Sequence, residues 1–115
     1  MATILLVEDD LNLLQAMETL LRGEGYRVRT AADGTLAMRS ARSERPDVVV
    51  SDWMMPGMDG VALVKALQSV PQFADIPVVM TSAIASPPGV TVHGFLRKPF
   101  PVAKLLDMVR RALTG

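Results

Sequence analysis

Three short runs of unbroken apolar residues, Ile4-Leu5-Leu6-Val7, Val48-Val49-Val50 and Val78-Val79-Met80, set the strictest limit on how this chain can fold. A strand that alternates can keep one face in water, whereas a run without polar alternation must be covered on both faces. Segments of helical period lie between these runs. Residues 11–23 place Leu13, Leu14, Met17, Leu20 and Leu21 at helical spacing and stop at Gly23 and Gly25. Asp33-Gly34 opens a second helix through about Glu44, with Leu36, Ala37 and Ala41 turned inward. Asp59 is placed to cap a third helix carrying Val61, Leu63, Val64 and Leu67. Residues 26–30 alternate as an edge strand does, and residues 93–97 supply a fifth strand. A last helix from about Pro101 sets Val102, Leu105, Leu106, Val109 and Leu113 on one face. Strands alternating with helices predict an α/β fold, a flavodoxin-like doubly wound parallel sheet of five strands in the order 2-1-3-4-5.

At 115 residues the chain has room for one core, and a single domain over 1–115 with no effector domain is expected. Twelve basic and twelve acidic residues cancel, which argues against direct nucleic-acid binding and against a polybasic membrane anchor. The absence of cysteine excludes disulfides and thiolate metal sites. With no apolar stretch of membrane-spanning length and no cationic leader, a cytoplasmic location is expected.

In this strand order ligands sit beyond the carboxyl ends of strands 1 and 3, where the winding reverses. Glu8 and Asp9 close strand 1, and Asp52 closes strand 3. Singly, each has a plain explanation: Glu8-Asp9-Asp10 suits a helix N-terminus, and Asp52 suits a turn. Together, three neighbouring carboxylates raise one another's pKa values unless something offsets the charge. A hard cation with oxygen ligands, Mg²⁺ in particular, is the natural counterion. Strand 4 ends on the hydroxyl of Ser82, and strand 5 is followed by Lys98-Pro99. Three acids, a hydroxyl and an ammonium at one sheet edge suit a carboxylate nucleophile that attacks phosphorus. The methionines Met54, Met55 and Met58 are read as packing, and the lone His93 as structural.

The segments LLVEDD (5–10), PDVVVSDWMMPGMDG (46–60), IPVVMTSA (76–83) and FLRKPF (95–100) carry a resemblance to the receiver domain of two-component response regulators. They come in that family's order and span nearly the whole chain. The resemblance implies that Asp52 is the phospho-acceptor, and that Glu8, Asp9, Asp52 and the backbone carbonyl of Met54 hold Mg²⁺. It implies that Ser82 is the switch hydroxyl, that Lys98 contacts the phosphoryl group, that Pro99 is cis, and that Phe95 is the aromatic switch residue. The implied partners are a sensor histidine kinase or histidine phosphotransfer protein and a downstream protein target. Catalysis would be confined to gain and loss of phosphate at Asp52. Two other readings are weighed against it. One is a phosphorylation-independent interaction module on the same fold. The other is a phosphatase with an Asp nucleophile, disfavoured because Met54 stands where such chemistry wants a second acid.

The chain departs from the family between Ser82 and Lys98. Only AIASPPGVTV (83–92) is available for the crossover that usually holds a fourth helix, and its prolines, glycine and β-branched residues oppose one. Ten extended residues reach at most about 33–36 Å, enough to return along a strand of about 17–20 Å only if nearly straight. The fourth crossover helix is therefore expected to be absent or reduced to a turn. The output face built on it would be remodelled, and the sheet near strands 4 and 5 would lose cover. Met54 and Ile84 cannot orient an attacking water by hydrogen bonding, so a long-lived phosphoryl group is expected.

Overall fold

A computed structural model of the chain describes residues 1–84 and 89–114. Its strands are β1 Thr3–Val7, β2 Arg27–Ala31, β3 Val48–Asp52, β4 Val78–Ser82 and β5 Gly94–Arg97. They form one sheet in the order β2-β1-β3-β4-β5, with every pair parallel. Around it lie α1 Leu11–Gly23, α2 Gly34–Ser43, α3 Gly60–Gln68 and α4 Val102–Thr114. The unbroken runs behave as their composition requires. Every residue of β1, β3 and β4 is buried, whereas β2 at the edge does not keep the expected alternation: it buries Val28 on one face and Ala31 on the other.

Successive strand residues feed opposite faces. Leu5, Val7, Val49, Val78 and Met80 form one core with α2 and α3. Ile4, Leu6, Val48, Val50, Val79 and Leu96 form the other with Leu14, Met17 and Leu21 of α1 and Leu105 and Val109 of α4. Full burial of each Val, Leu or Ile is worth about 1.5–3 kcal/mol. The two layers therefore supply the main stabilising term and fix which side chains leave each face at the strand ends.

Three carboxylates start the helices that follow β1, β2 and β3. Asp10 accepts from the N–H groups of Asn12 and Leu13 at 3.1 and 3.2 Å. Asp33 accepts from Leu36 at 2.8 Å, and Asp59 from Ala62 at 2.8 Å. Such a cap contributes about 1 kcal/mol. Gly57 takes a positive φ of 70° in the turn after β3. Gly60 then brings α3 hard against the end of β3: its N–H donates to the Trp53 carbonyl at 2.8 Å. A Cβ on Gly60 would lie 2.9 Å from Trp53 Cα and press on the carbonyl oxygen of Asp52.

Two inward assignments are corrected. Leu36 is 43% exposed, because the buried face of α2 runs through Gly34, Ala37, Met38 and Ala41 and leaves position 36 on the far side. Val102 is 54% exposed, because the first residue of α4 borders an open groove against α1 rather than the core.

Among the described residues no helix lies between β4 and β5; residues 85–88, at the centre of that expectation, lie outside them. The expected loss of cover is a correction: Val78 and Met80 are 5% and 0% exposed. Val90 and Val92 pack on the same core as Met80, and Phe95 joins them. This strap is tied at its end, where the His93 N–H donates to the Val78 carbonyl at 2.8 Å. His93 Nδ1 in turn accepts from the Val78 N–H at 3.3 Å. Alternating valines thus cover the sheet where a helix usually would.

Candidate functional site

Glu8 directly follows β1 and Asp52 is the last residue of β3, on the two strands that flank the reversal of winding. Glu8 is 1% exposed and Asp52 6%, while Asp9 faces solvent. Carboxylate oxygens of Glu8, Asp9 and Asp52 all lie within 4.8 Å of one another. Lys98 reaches them from the loop after β5, across a cis peptide bond to Pro99. Its Nζ lies 2.6 Å from Glu8 Oε1 and 3.2 Å from Asp52 Oδ1. Its backbone N–H donates to the Ser82 carbonyl at 2.7 Å, which pins the loop to the end of β4.

The electrostatics follow from burial. Desolvation pushes the Glu8 carboxyl above its ordinary value; the Lys98 hydrogen bond and the Asp10 N–H oppose this, and the Asp52 charge adds to the rise. Asp52 is likewise pushed up by burial, against the pull of Lys98 and with a contribution from Asp9. Burial draws the Lys98 ammonium down, but the Glu8 hydrogen bond and the two carboxylate charges outweigh it and leave it raised. Three carboxylates against one ammonium leave two surplus negative charges in a small volume. All donors are hard oxygens, and Asp9 opens the cluster to water. These residues fit a divalent cation of the Mg²⁺ kind.

Ser82 is fully buried, and its Oγ accepts from the Ile84 N–H at 3.0 Å, so its side chain faces the start of the β4–β5 connection rather than Asp52. Met54 stands on the loop after β3 with its side chain 56% exposed. Phe95 pairs in register with Met80 and is half-buried beside Val90 and Val92. The structure thus gathers Glu8, Asp9, Asp52 and Lys98, and sets Ser82 next to them through the Lys98 backbone. Sequence reasoning passed over Thr81, the register partner of Asp52 on β4. Its one signal was a hydroxyl interrupting an apolar run one residue before the strand end.

Residues 4–110 match the family model of the response regulator receiver domain. The chain belongs to that family. Over 116 aligned residues this receiver is 39% identical to the transcriptional regulatory protein PrrA of Mycobacterium tuberculosis, covering 96% of this chain and 49% of PrrA. The chain therefore spans about half the length of the first curated relatives it matches. Among solved structures it resembles chemotaxis protein CheY4 of Vibrio cholerae, with 37% identity, a TM-score of 0.92 and coverage of 98% of this chain and 99% of that one. It also resembles the receiver domain of sensor histidine kinase PA1611 from Pseudomonas aeruginosa, with 30% identity, a TM-score of 0.92 and coverage of 99% and 98%. That structure carries a magnesium ion coordinated in its active-site cleft. The receiver is a signalling module of two-component regulation, as the sequence resemblance implied.

Proposed function

We propose that this receiver is a phosphorylation switch in which Asp52 accepts a phosphoryl group from a sensor histidine kinase or a histidine phosphotransfer protein. The observation that supports it most is the Lys98 ammonium bridging Glu8 and Asp52 beside the exposed Asp9. Glu8, Asp9, Asp52 and the backbone carbonyl of Met54 would hold Mg²⁺, which neutralises phosphoryl oxygens when bound. A carboxylate oxygen of Asp52 attacks phosphorus, the P–N bond of a donor phosphohistidine already protonated on its other ring nitrogen breaks, and neutral imidazole leaves with that electron pair. Lys98 turns from the carboxylate to a phosphoryl oxygen and offsets the charge moved there.

Ser82 is the switch residue in this scheme. Its hydroxyl leaves Ile84 and donates to the phosphoryl group, which frees the start of the β4–β5 connection. Phe95 lacks a hydroxyl and responds by packing alone. Donor docking would use the groove between α1 and α4, which is walled by Leu13, Ala16, Leu20, Phe100 and Val102 and has Lys98 at its rim. An amphipathic helix of the kinase laid there would bring its phosphohistidine to the strand ends. The phosphoryl group is long-lived, because neither Met54 nor Ile84 orients water. The downstream partner is a protein reading the remodelled β4–β5 face; PrrA is a transcriptional regulator, so an output on DNA is the alternative.

Incubation with Mg²⁺ and acetyl phosphate, followed by peptide mass mapping, tests the scheme. One added PO₃ on the peptide containing Asp52, lost in Asp52→Asn, is the expected result. A chain that stays unmodified, or is modified equally in Asp52→Asn, would remove the proposal.

A further inference from the structure

Thr81 Oγ1 is the one buried side-chain oxygen or nitrogen that meets no hydrogen-bond partner among the described residues. Thr81 itself is 1% exposed. A buried hydroxyl without a partner costs about 1–3 kcal/mol, and valine would fill the same space without that cost. The threonine hydroxyl at this position is therefore free for a task that valine could not perform.

Its neighbourhood suggests one. Thr81 and Asp52 are register partners on adjacent parallel strands. Val79 and Val50, two residues before them, both point into the core shared with α1 and α4. By alternation the Thr81 and Asp52 side chains leave the sheet on that same face, side by side. Adjacent strands run about 4.8 Å apart, a gap that a threonine hydroxyl spans to a neighbouring carboxylate by rotating about χ1. An ionised carboxylate accepts about four hydrogen bonds, and Lys98 occupies one position on Oδ1 at 3.2 Å. In this state Lys98 holds the carboxylate, and Thr81 Oγ1 meets none of its oxygens.

We propose that Thr81 is a positioning residue for Asp52: when the carboxylate turns from Lys98 towards a cation or a phosphorus atom, the Thr81 hydroxyl donates to its free oxygen and fixes its orientation. The inference rests on the phosphorylation switch proposed above for one of its two functional readouts, and on Mg²⁺ binding alone for the other. A fixed carboxylate presents the same oxygen to the reacting centre at each encounter, which is the entropic share of the rate. Ser82 keeps its own task, because it leaves β4 on the opposite face.

Thr81→Val and Thr81→Ser test this on the full chain. Thermal unfolding in EDTA gives stability, Trp53 fluorescence gives Mg²⁺ affinity, and the initial rate with acetyl phosphate at saturating Mg²⁺ gives acceptor reactivity. Thr81→Val should melt at or above wild type, yet bind Mg²⁺ and take up phosphate each about three- to ten-fold less well, the worth of one hydrogen bond. Thr81→Ser should restore both. Values for Thr81→Val that match wild type overturn the proposal, as does a Thr81→Val chain that melts well below wild type, since the hydroxyl would then serve the fold. A wild-type chain that takes up no phosphate defeats the switch, and the Mg²⁺ affinities still decide the role of Thr81.

Discussion

Replacing Gly60 by alanine should damage this protein more than a glycine at a helix start ordinarily would. The Cβ would sit 2.9 Å from Trp53 Cα and closer still to the Asp52 carbonyl oxygen, both backbone atoms that no side-chain rotation can move aside. Overpacking of this kind costs about 1–3 kcal/mol. Alanine's helix preference returns up to about 0.8–1.0 kcal/mol, and less at the first residue of α3, so a net loss of about 1–2 kcal/mol remains. With 115 residues and about 2.1 cal/mol/K of unfolding entropy per residue, that lowers Tm by about 4–8 °C. Gly23→Ala is the matched control. No atom lies within 4 Å of its Cβ, so it should leave Tm unchanged or raise it by about 2–4 °C. Thermal unfolding followed by circular dichroism in EDTA reads both. The displaced backbone belongs to Asp52, so Gly60→Ala should also slow phosphate uptake well below its folding midpoint. A Gly60→Ala chain that melts with or above wild type would show that α3 does not press on the end of β3.

Lys98→Met leaves Glu8 buried without its cation; the partly exposed ammonium moderates the loss to about 1–3 kcal/mol, and Mg²⁺ should recover more stability there than in wild type, as urea titrations with and without Mg²⁺ would show. Asp52→Asn has the opposite sign without metal. Burial holds the Asp52 carboxyl above its ordinary value, so the folded state binds its proton more readily and this group's contribution to stability falls as pH rises through the carboxylate range. Removing the charge should therefore raise Tm at pH 7 in EDTA and shrink the rise that Mg²⁺ produces; an Asp52→Asn chain less stable than wild type in EDTA would contradict this. Met54→Asn supplies an amide where the exposed thioether cannot hold water, and should shorten the life of the phosphorylated form several-fold in a chase by gel shift.

The legible parts of this fold are those whose signal is local. Unbroken runs such as Val48-Val49-Val50 state that a strand is covered twice, and Asp10, Asp33 and Asp59 state where helices begin, because capping needs only residues within one turn. Leu36 and Val102 were misread because helical period fixes relative angles but not which angle meets the sheet. The cover over β4 was misread for a related reason. Val90 and Val92 pack inward on a strap whose end, His93, is tied to Val78, a pairing across fifteen positions that no local pattern announces. The site followed the same division. The strand-end rule brings Glu8, Asp52 and Ser82 to one edge, but the ammonium bridging Glu8 and Asp52 depends on how the chain turns at Lys98-Pro99. Thr81 was illegible, since threonine is an ordinary strand residue and only the packed structure shows that its hydroxyl has no partner.

Lys98 joins these observations. Its side chain touches carboxylates at the ends of β1 and β3, and its backbone N–H holds the end of β4, so one residue spans the strand ends that would surround a bound phosphoryl group. Drawing the ammonium away from Glu8 loosens that junction at the point where Ser82 holds the Ile84 N–H. The next described residues downstream are not a helix that could move as a rigid body. They are a strap whose hold on the core is two valines, a hydrogen bond from Gln68 to the Thr91 carbonyl at 3.5 Å, and the tie at His93. Two partly buried valines, two long hydrogen bonds and the backbone bond from His93 to Val78 at 2.8 Å resist displacement by a few kcal/mol, the scale of one or two newly formed charge-assisted contacts. The energetic scales of the site and of the strap are therefore matched, and a signal leaving Asp52 through Ser82 would reshape the surface at Val90–Val92 rather than tilt a helix.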